Sequence, residues 1–152
     1  MSALDYFLPK AADEGDFSAW SSIMAQPSRV LRTNLFGDVF IVDGSGGVHM
    51  LERGACTVTQ IASSEEEFWR RVDDDAKGWQ LRPLADECRG NGKVLADGQC
   101  YAFTTPPVLG GDYAVGNVWV APCREWFALT ADLFQQIKNL PDGASVSFRV
   151  TD

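Results

Sequence analysis

Apolar residues in this chain recur with two different periods, and the change between them marks the elements. Asn34-Leu-Phe-Gly-Asp-Val-Phe-Ile-Val-Asp43 is rich in β-branched and aromatic residues, Gly44-Ser-Gly-Gly47 follows, and Val48-His-Met-Leu51 alternates again. A strand, a glycine turn and a returning strand are expected. Cys56-Thr-Val-Thr-Gln-Ile61 alternates once more and extends the hairpin to a meander, and Ser145-Val-Ser-Phe-Arg-Val150 predicts a final strand with Val146, Phe148 and Val150 on one side. Helical spacing lies between these runs. Phe17, Trp20, Ile23 and Met24 predict a helix over 16–26, stopped by Pro27, with Asp13, Glu14 and Asp16 at the end that favours negative charge. Ser64 with Glu67 three residues on reads as a capping box, and Phe68, Trp69 and Val72 give the helix that follows an apolar face. Leu81, Leu84, Ala85 and Cys88 predict another helix over 79–89, with Pro83 in its first turn and Gly90-Asn-Gly92 at its end. Trp126, Phe127, Leu129, Leu133, Phe134 and Ile137 predict the longest helix, over 124–139, and Leu140-Pro-Asp-Gly143 a turn after it. The expected fold is α+β, a mainly antiparallel sheet backed by several helices, as a single domain over residues 1–152.

Residues 97–117 interrupt this pattern. Cys100-Tyr-Ala-Phe103 predicts a short strand, Pro106-Pro107 a stiff entry, and Gly110-Gly111 a hinge at the far end. Tyr101, Phe103 and Tyr113 flank the loop and should pin it to a core. Val118-Trp-Val120 then reads as a short strand.

Composition adds limits. The chain has 152 residues, 45% hydrophobic and 22% charged, which suits a folded globular protein. No apolar run is long enough to span a bilayer, and residues 1–7 lack the basic and long apolar segments of a signal peptide, so a cytoplasmic location is expected. Cys56, Cys88, Cys100 and Cys123 are far apart and read as buried thiols. The formal net charge is −8, from 21 acids against 13 bases, which argues against direct nucleic-acid or membrane binding and suits a basic protein partner. Asp73-Asp-Asp75 lies toward the end of its helix, where acids oppose the dipole. Either these residues sit in a solvated loop or they serve a partner.

Catalytic patterns are weak. The single histidine, His49, lies inside a predicted strand with no nucleophile motif around it, and no cysteine pair has zinc spacing. Gly46 and Gly47 lack the Gly-Lys-Ser/Thr of a phosphate loop and read as turn chemistry, and no Gly-x-Gly-x-x-Gly stands at a strand-to-helix turn. No catalytic residue, metal site or cofactor is expected.

Gly98-Gln99-Cys100-Tyr101, then Pro106-Pro107-Val-Leu-Gly110-Gly111-Asp112-Tyr113, Asn117, and Gln136-Ile-Lys-Asn-Leu-Pro-Asp-Gly143 together resemble the C-terminal domain of the Tdi-type bacterial type VI secretion immunity proteins. Asn34-Leu-Phe-Gly-Asp-Val-Phe40 and the Phe68 helix fit the same pattern, from about Trp20 onward. The resemblance implies a non-enzymatic antitoxin that binds a cognate secreted toxin, often a nuclease, in the cytoplasm. Members of this kind can carry a further N-terminal domain, for which this chain is expected to be too short. Under that reading Asp73, Asp74 and Asp75 are the first candidates for partner contact, with Asp112 and Tyr113 next, while Gly98, Gln99, Tyr101, Pro106, Pro107, Gly110, Gly111 and Asn117 either shape the loop or touch the partner. The alternative is a small-molecule-binding or catalytic domain with a pocket beside Tyr101 and Tyr113.

Overall fold

The computed structural model describes residues 3–8, 17–24, 29–74 and 81–140. The expected strand at 145–150, most of the turn before it, Asp75, and the acids Asp13, Glu14 and Asp16 lie outside the described residues. The fold is α+β. Strands β1 (Arg29–Thr33), β2 (Val39–Val42), β3 (Val48–Glu52) and β4 (Thr57–Ala62) form an antiparallel sheet in chain order. Helices α1 (Glu65–Asp73) and α2 (Arg82–Gly90) follow, then an antiparallel pair, β5 (Gln99–Phe103) and β6 (Val118–Pro122), and helix α3 (Cys123–Ile137).

Alternation along β2 divides the core around the large sheet. Phe40 and Val42 face a cluster with Phe7, Met50, Phe68 and Val72, while Val39 and Ile41 face Phe17, Trp20, Leu51 and Phe134. One face is therefore covered by α1 and the other by the 17–24 segment and α3. The β2–β3 turn is closed by Asp43, whose Oδ1 accepts from the Ser45 and Gly47 amides at 2.8 and 3.1 Å. His49 Nε2 lies 2.6 Å from Asp43 Oδ2, and this hydrogen bond holds the Asp43 carboxyl below its usual range. His49 is thus a staple across the hairpin turn.

Two expectations change. The run from Asn34 to Asp43 is not one strand. Asn34 Oδ1 accepts from the Phe36 and Asp38 amides at 2.9 and 3.0 Å, the Asn34 amide donates to the Asp38 carbonyl at 2.9 Å, and Gly37 takes φ +80°. An asparagine side chain that captures backbone amides makes a turn where apolar content alone suggests a strand. The turn makes room for β1, which the sequence pattern did not single out. Over 17–24 there is a 3-10 turn, Ser18–Trp20, where a continuous α-helix was expected. Ser18, Ser21 and Ser22 are weak helix formers, and so short a segment gains little from helix propagation. Its apolar residues still pack inward: Trp20 stacks on Phe134 with ring centroids 4.8 Å apart, although Ile23 is exposed.

The later elements follow the pattern closely. Ser64 Oγ accepts from the Glu67 amide at 3.1 Å and caps α1, Pro83 sits in the first turn of α2, and α3 buries Trp126, Phe127, Leu133 and Phe134. β5 does not alternate. Cys100, Tyr101, Ala102 and Phe103 are all buried, because the cluster drawn from α2 and α3 covers both faces of the strand.

Candidate functional site

The 104–117 loop joins β5 to β6 and is braced from within. Pro106 is buried and starts a 3-10 turn, Pro107–Leu109, which Gly110 ends at φ +92° with its amide on the Pro107 carbonyl at 2.9 Å. Asn117 ties the two ends together. Its Oδ1 accepts from the Thr105 amide at 2.9 Å, and its Nδ2 donates to the Thr105 and Asp112 carbonyls, each at 2.9 Å. Gly111 is required by that closure, since a Cβ there would stand 1.7 Å from the Thr105 carbonyl oxygen. The glycine pair is therefore a locked crossing and not the expected hinge. Upstream, Gly98 takes φ +78° and its carbonyl accepts from the Cys123 amide at 2.8 Å, Gln99 Oε1 accepts from the Ala96 amide at 2.8 Å, and Tyr101 donates its hydroxyl to the Lys93 carbonyl at 2.5 Å. All of these contacts shape the loop and its base.

Beneath the loop lies a buried polar node that the sequence did not reveal. Arg53, 1% exposed, donates from Nε to the Gly37 carbonyl at 2.7 Å and places its guanidinium 3.8 Å from the centre of the Phe127 ring. Asp38 Oδ1 accepts from the Arg53 amide at 3.0 Å. Burial, and then the Glu52 carboxylate, push the Asp38 carboxyl up to about 7. An arginine in the Glu52-Arg53-Gly54 turn reads as a surface residue, so only its neighbour Gly54 hinted at close packing. A Cβ on Gly54 would meet Pro107 Cδ at 2.8 Å, and the Gly54 carbonyl accepts from the Val108 amide at 2.9 Å. The β3–β4 turn, the loop and α3 thus form one rigid body of contacts.

On this base stand Asp112 and Tyr113, both exposed. The Tyr113 ring meets Phe103 edge-on at 5.4 Å while half of the residue, 51%, remains accessible. Burial of that inner edge raises the hydroxyl above its ordinary range, with Glu52 and Asp38 adding to it. The other acids are built differently. Asp73 ends α1 and Asp74 caps it, its amide on the Arg70 carbonyl at 3.0 Å, and both are exposed. Arg70 and Arg71 lie in the same last turn, and Arg82 donates to the carbonyl of Val72, the residue just before Asp73. Asp73 and Asp74 stand with α1 over the large sheet, and Asp112 and Tyr113 stand over β5. The structure does not bring the two sets together.

A groove of about 910 Å³ opens beside Tyr101, lined mainly by Leu4, Phe7, Leu8, Leu35, Val94 and Leu95. Tyr113 does not line it. Cys123 reaches this groove. The Cys100 thiol donates to the Cys123 sulfur, which raises Cys100 and lowers Cys123, and burial pushes the Cys56 thiol up to about 12. Among the described residues no group of three or more His, Cys, Asp or Glu could hold a metal ion. No described helix is long and apolar enough to cross a membrane.

Residues 62–134 match the family model described as T6SS immunity protein Tdi1, C-terminal. This stretch, just under half of the chain, is similar to the Tdi1 C-terminal family. The family is one of type VI secretion immunity proteins. The Tdi1 match runs from the end of β4 through most of α3 and so contains α1, α2, the β5–β6 pair and the braced loop. It is narrower than the resemblance seen in the sequence, since Asn34–Phe40 and 136–143 fall outside it. No curated protein matches the chain.

Proposed function

We infer that this chain is an immunity protein that binds a cognate secreted toxin in the cytoplasm and neutralises it by protein–protein contact, with no turnover of its own. The observation that carries this reading is the Tdi1 C-terminal match across 62–134. The charge of −8 supports a basic partner, and a nuclease is the natural candidate because its substrate is a polyanion. Carboxylates that occupy a phosphate-binding cleft exclude the nucleic acid and speed encounter by electrostatic steering. Two sets of residues are candidates to meet the toxin: Asp73, Asp74 and Asp75, and Asp112 with Tyr113 on the loop.

The test is reconstitution with the purified product of the neighbouring gene. The reading predicts a complex that weakens as salt rises, and loss of the toxin's activity inside it. No complex at low salt, or a toxin that stays active when bound, contradicts it.

A further inference from the structure

We propose that the toxin-facing surface is the braced 104–117 loop with the end of β3, anchored by Tyr113 and charged by Asp112 and Glu52, and that its partner presents a basic patch there. This rests on the reading of the chain as a toxin-binding protein and says which face does the binding.

The first support is charge distribution. Between Lys93 and Arg124 the sequence contains no Lys, Arg or His, and its only ionisable side chains of ordinary charge are Asp97 and Asp112. Asp112 therefore has no basic neighbour along the chain for many residues either way. Glu52 ends β3 two residues before Gly54, whose carbonyl takes the loop's Val108 amide, so a second carboxylate comes from the turn packed against the loop, and its charge adds to the rise of the Tyr113 hydroxyl. The acids at the end of α1 have different surroundings: Arg70 and Arg71 share their last turn, and Arg82 donates to the neighbouring Val72 carbonyl. A basic partner is attracted to the first place and meets guanidinium groups at the second.

The second support is preorganisation. Tyr113 is an exposed aromatic whose ring is already held by Phe103, and no hydrogen bond is made by its hydroxyl among the described residues. The loop that carries it is closed by Asn117 and pinned to the Gly54 carbonyl through Val108, which is itself 36% exposed. A fixed aromatic loses little side-chain freedom on binding, and residues of this type dominate interface energetics when surrounded by groups that exclude water.

The experiment uses the full chain and the purified neighbouring gene product, with four variants: Tyr113→Ala, Asp112→Lys, Glu52→Lys and the paired Asp73→Lys/Asp74→Lys. Circular dichroism and thermal melts first establish that each is folded. The expected results are a dissociation constant raised tenfold or more by Tyr113→Ala, and low-salt association slowed about 3- to 10-fold by Asp112→Lys and by Glu52→Lys, an effect that fades at high salt. The α1 pair should change either quantity less than about twofold. If the wild-type chain forms no complex, the toxin-binding reading fails and this proposal with it. If the wild-type complex forms but only the α1 pair weakens it, toxin binding stands and the proposed face is wrong. A photoreactive phenylalanine at position 113 or 74 gives an independent readout: cross-linking from 113 and not from 74 supports the proposal, and the reverse overturns it.

Discussion

The end of α1 and the 104–117 loop both present acids to solvent, but they obtain their shape from different sources. α1 is a local structure: Ser64 caps it, Phe68 and Val72 dock it, and its polar face mixes Glu67 with Arg71 at 3.3 Å. The loop is a long-range structure, pinned through the Val108 amide to the Gly54 carbonyl of the β3–β4 turn, packed through Tyr113 on Phe103, and bridged at its ends by one asparagine. A charge run in sequence is thus not the same as a charged surface. At α1 the fold brings Arg82 to the Val72 carbonyl beside the acids, and at the loop it brings the turn that follows Glu52 against the segment that carries the aromatic.

The contrast is broken most strongly at Arg53. Arg53→Ala should destabilise the protein by about 3–5 kcal/mol, because it empties a fully buried site over the Phe127 ring and leaves the Gly37 carbonyl without its donor, although the Arg53 amide stays on Asp38. Arg71→Ala, which removes an exposed pair on α1, should leave the denaturant midpoint unchanged within error. A midpoint for Arg53→Ala equal to wild type would show that the buried arginine does not hold the Gly37 turn against α3.

Gly111→Ala comes next. The Cβ cannot be placed beside the Thr105 carbonyl without opening the loop, so a loss of about 1–3 kcal/mol or more is expected together with weakened toxin binding. Gly116→Ala, a few residues away with nothing within 4 Å of its Cβ, is the matched control and should be near neutral. Asn117→Ala removes its hydrogen bonds to Thr105 and Asp112 and should cost about 1–2 kcal/mol in chemical denaturation.

A pH dependence belonging to the Asp38 node alone is a separate test of the same contrast. Asp38 rises from 3.8 unfolded to about 7 folded, so the native state holds a proton that the unfolded chain releases. Its contribution is complete below the unfolded value and fades as pH rises through the folded one. Stability should therefore fall between about pH 4 and 7 through this group, and Asp38→Asn should flatten that slope. An identical slope in the variant would exclude Asp38 as its source.

These predictions also mark what the sequence could tell. α1, α3 and the β2–β4 meander were legible because capping and hydrophobic periodicity are local. β1 was not, because Asn34 converts an apolar run into a turn by hydrogen bonds that composition hides. Asp73 and Asp74 are adjacent in sequence, but the approach of Arg82 to the Val72 carbonyl beside them comes only from tertiary structure. Tyr113 and Asp112 were visible as residues, but the node of Asp38, Glu52 and Arg53 beneath them was not. Those residues come from two other turns, and an arginine beside a glycine carries no sign of burial.

Hydrogen exchange on the reconstituted toxin complex is the most direct measurement of the central claim that this protein works by presenting a prebuilt loop. The account predicts slowed exchange concentrated in 104–117 and at the end of β3, with the end of α1 unchanged between free and bound chains. Protection confined to 70–74, with the loop exchanging as fast in the complex as alone, would contradict it.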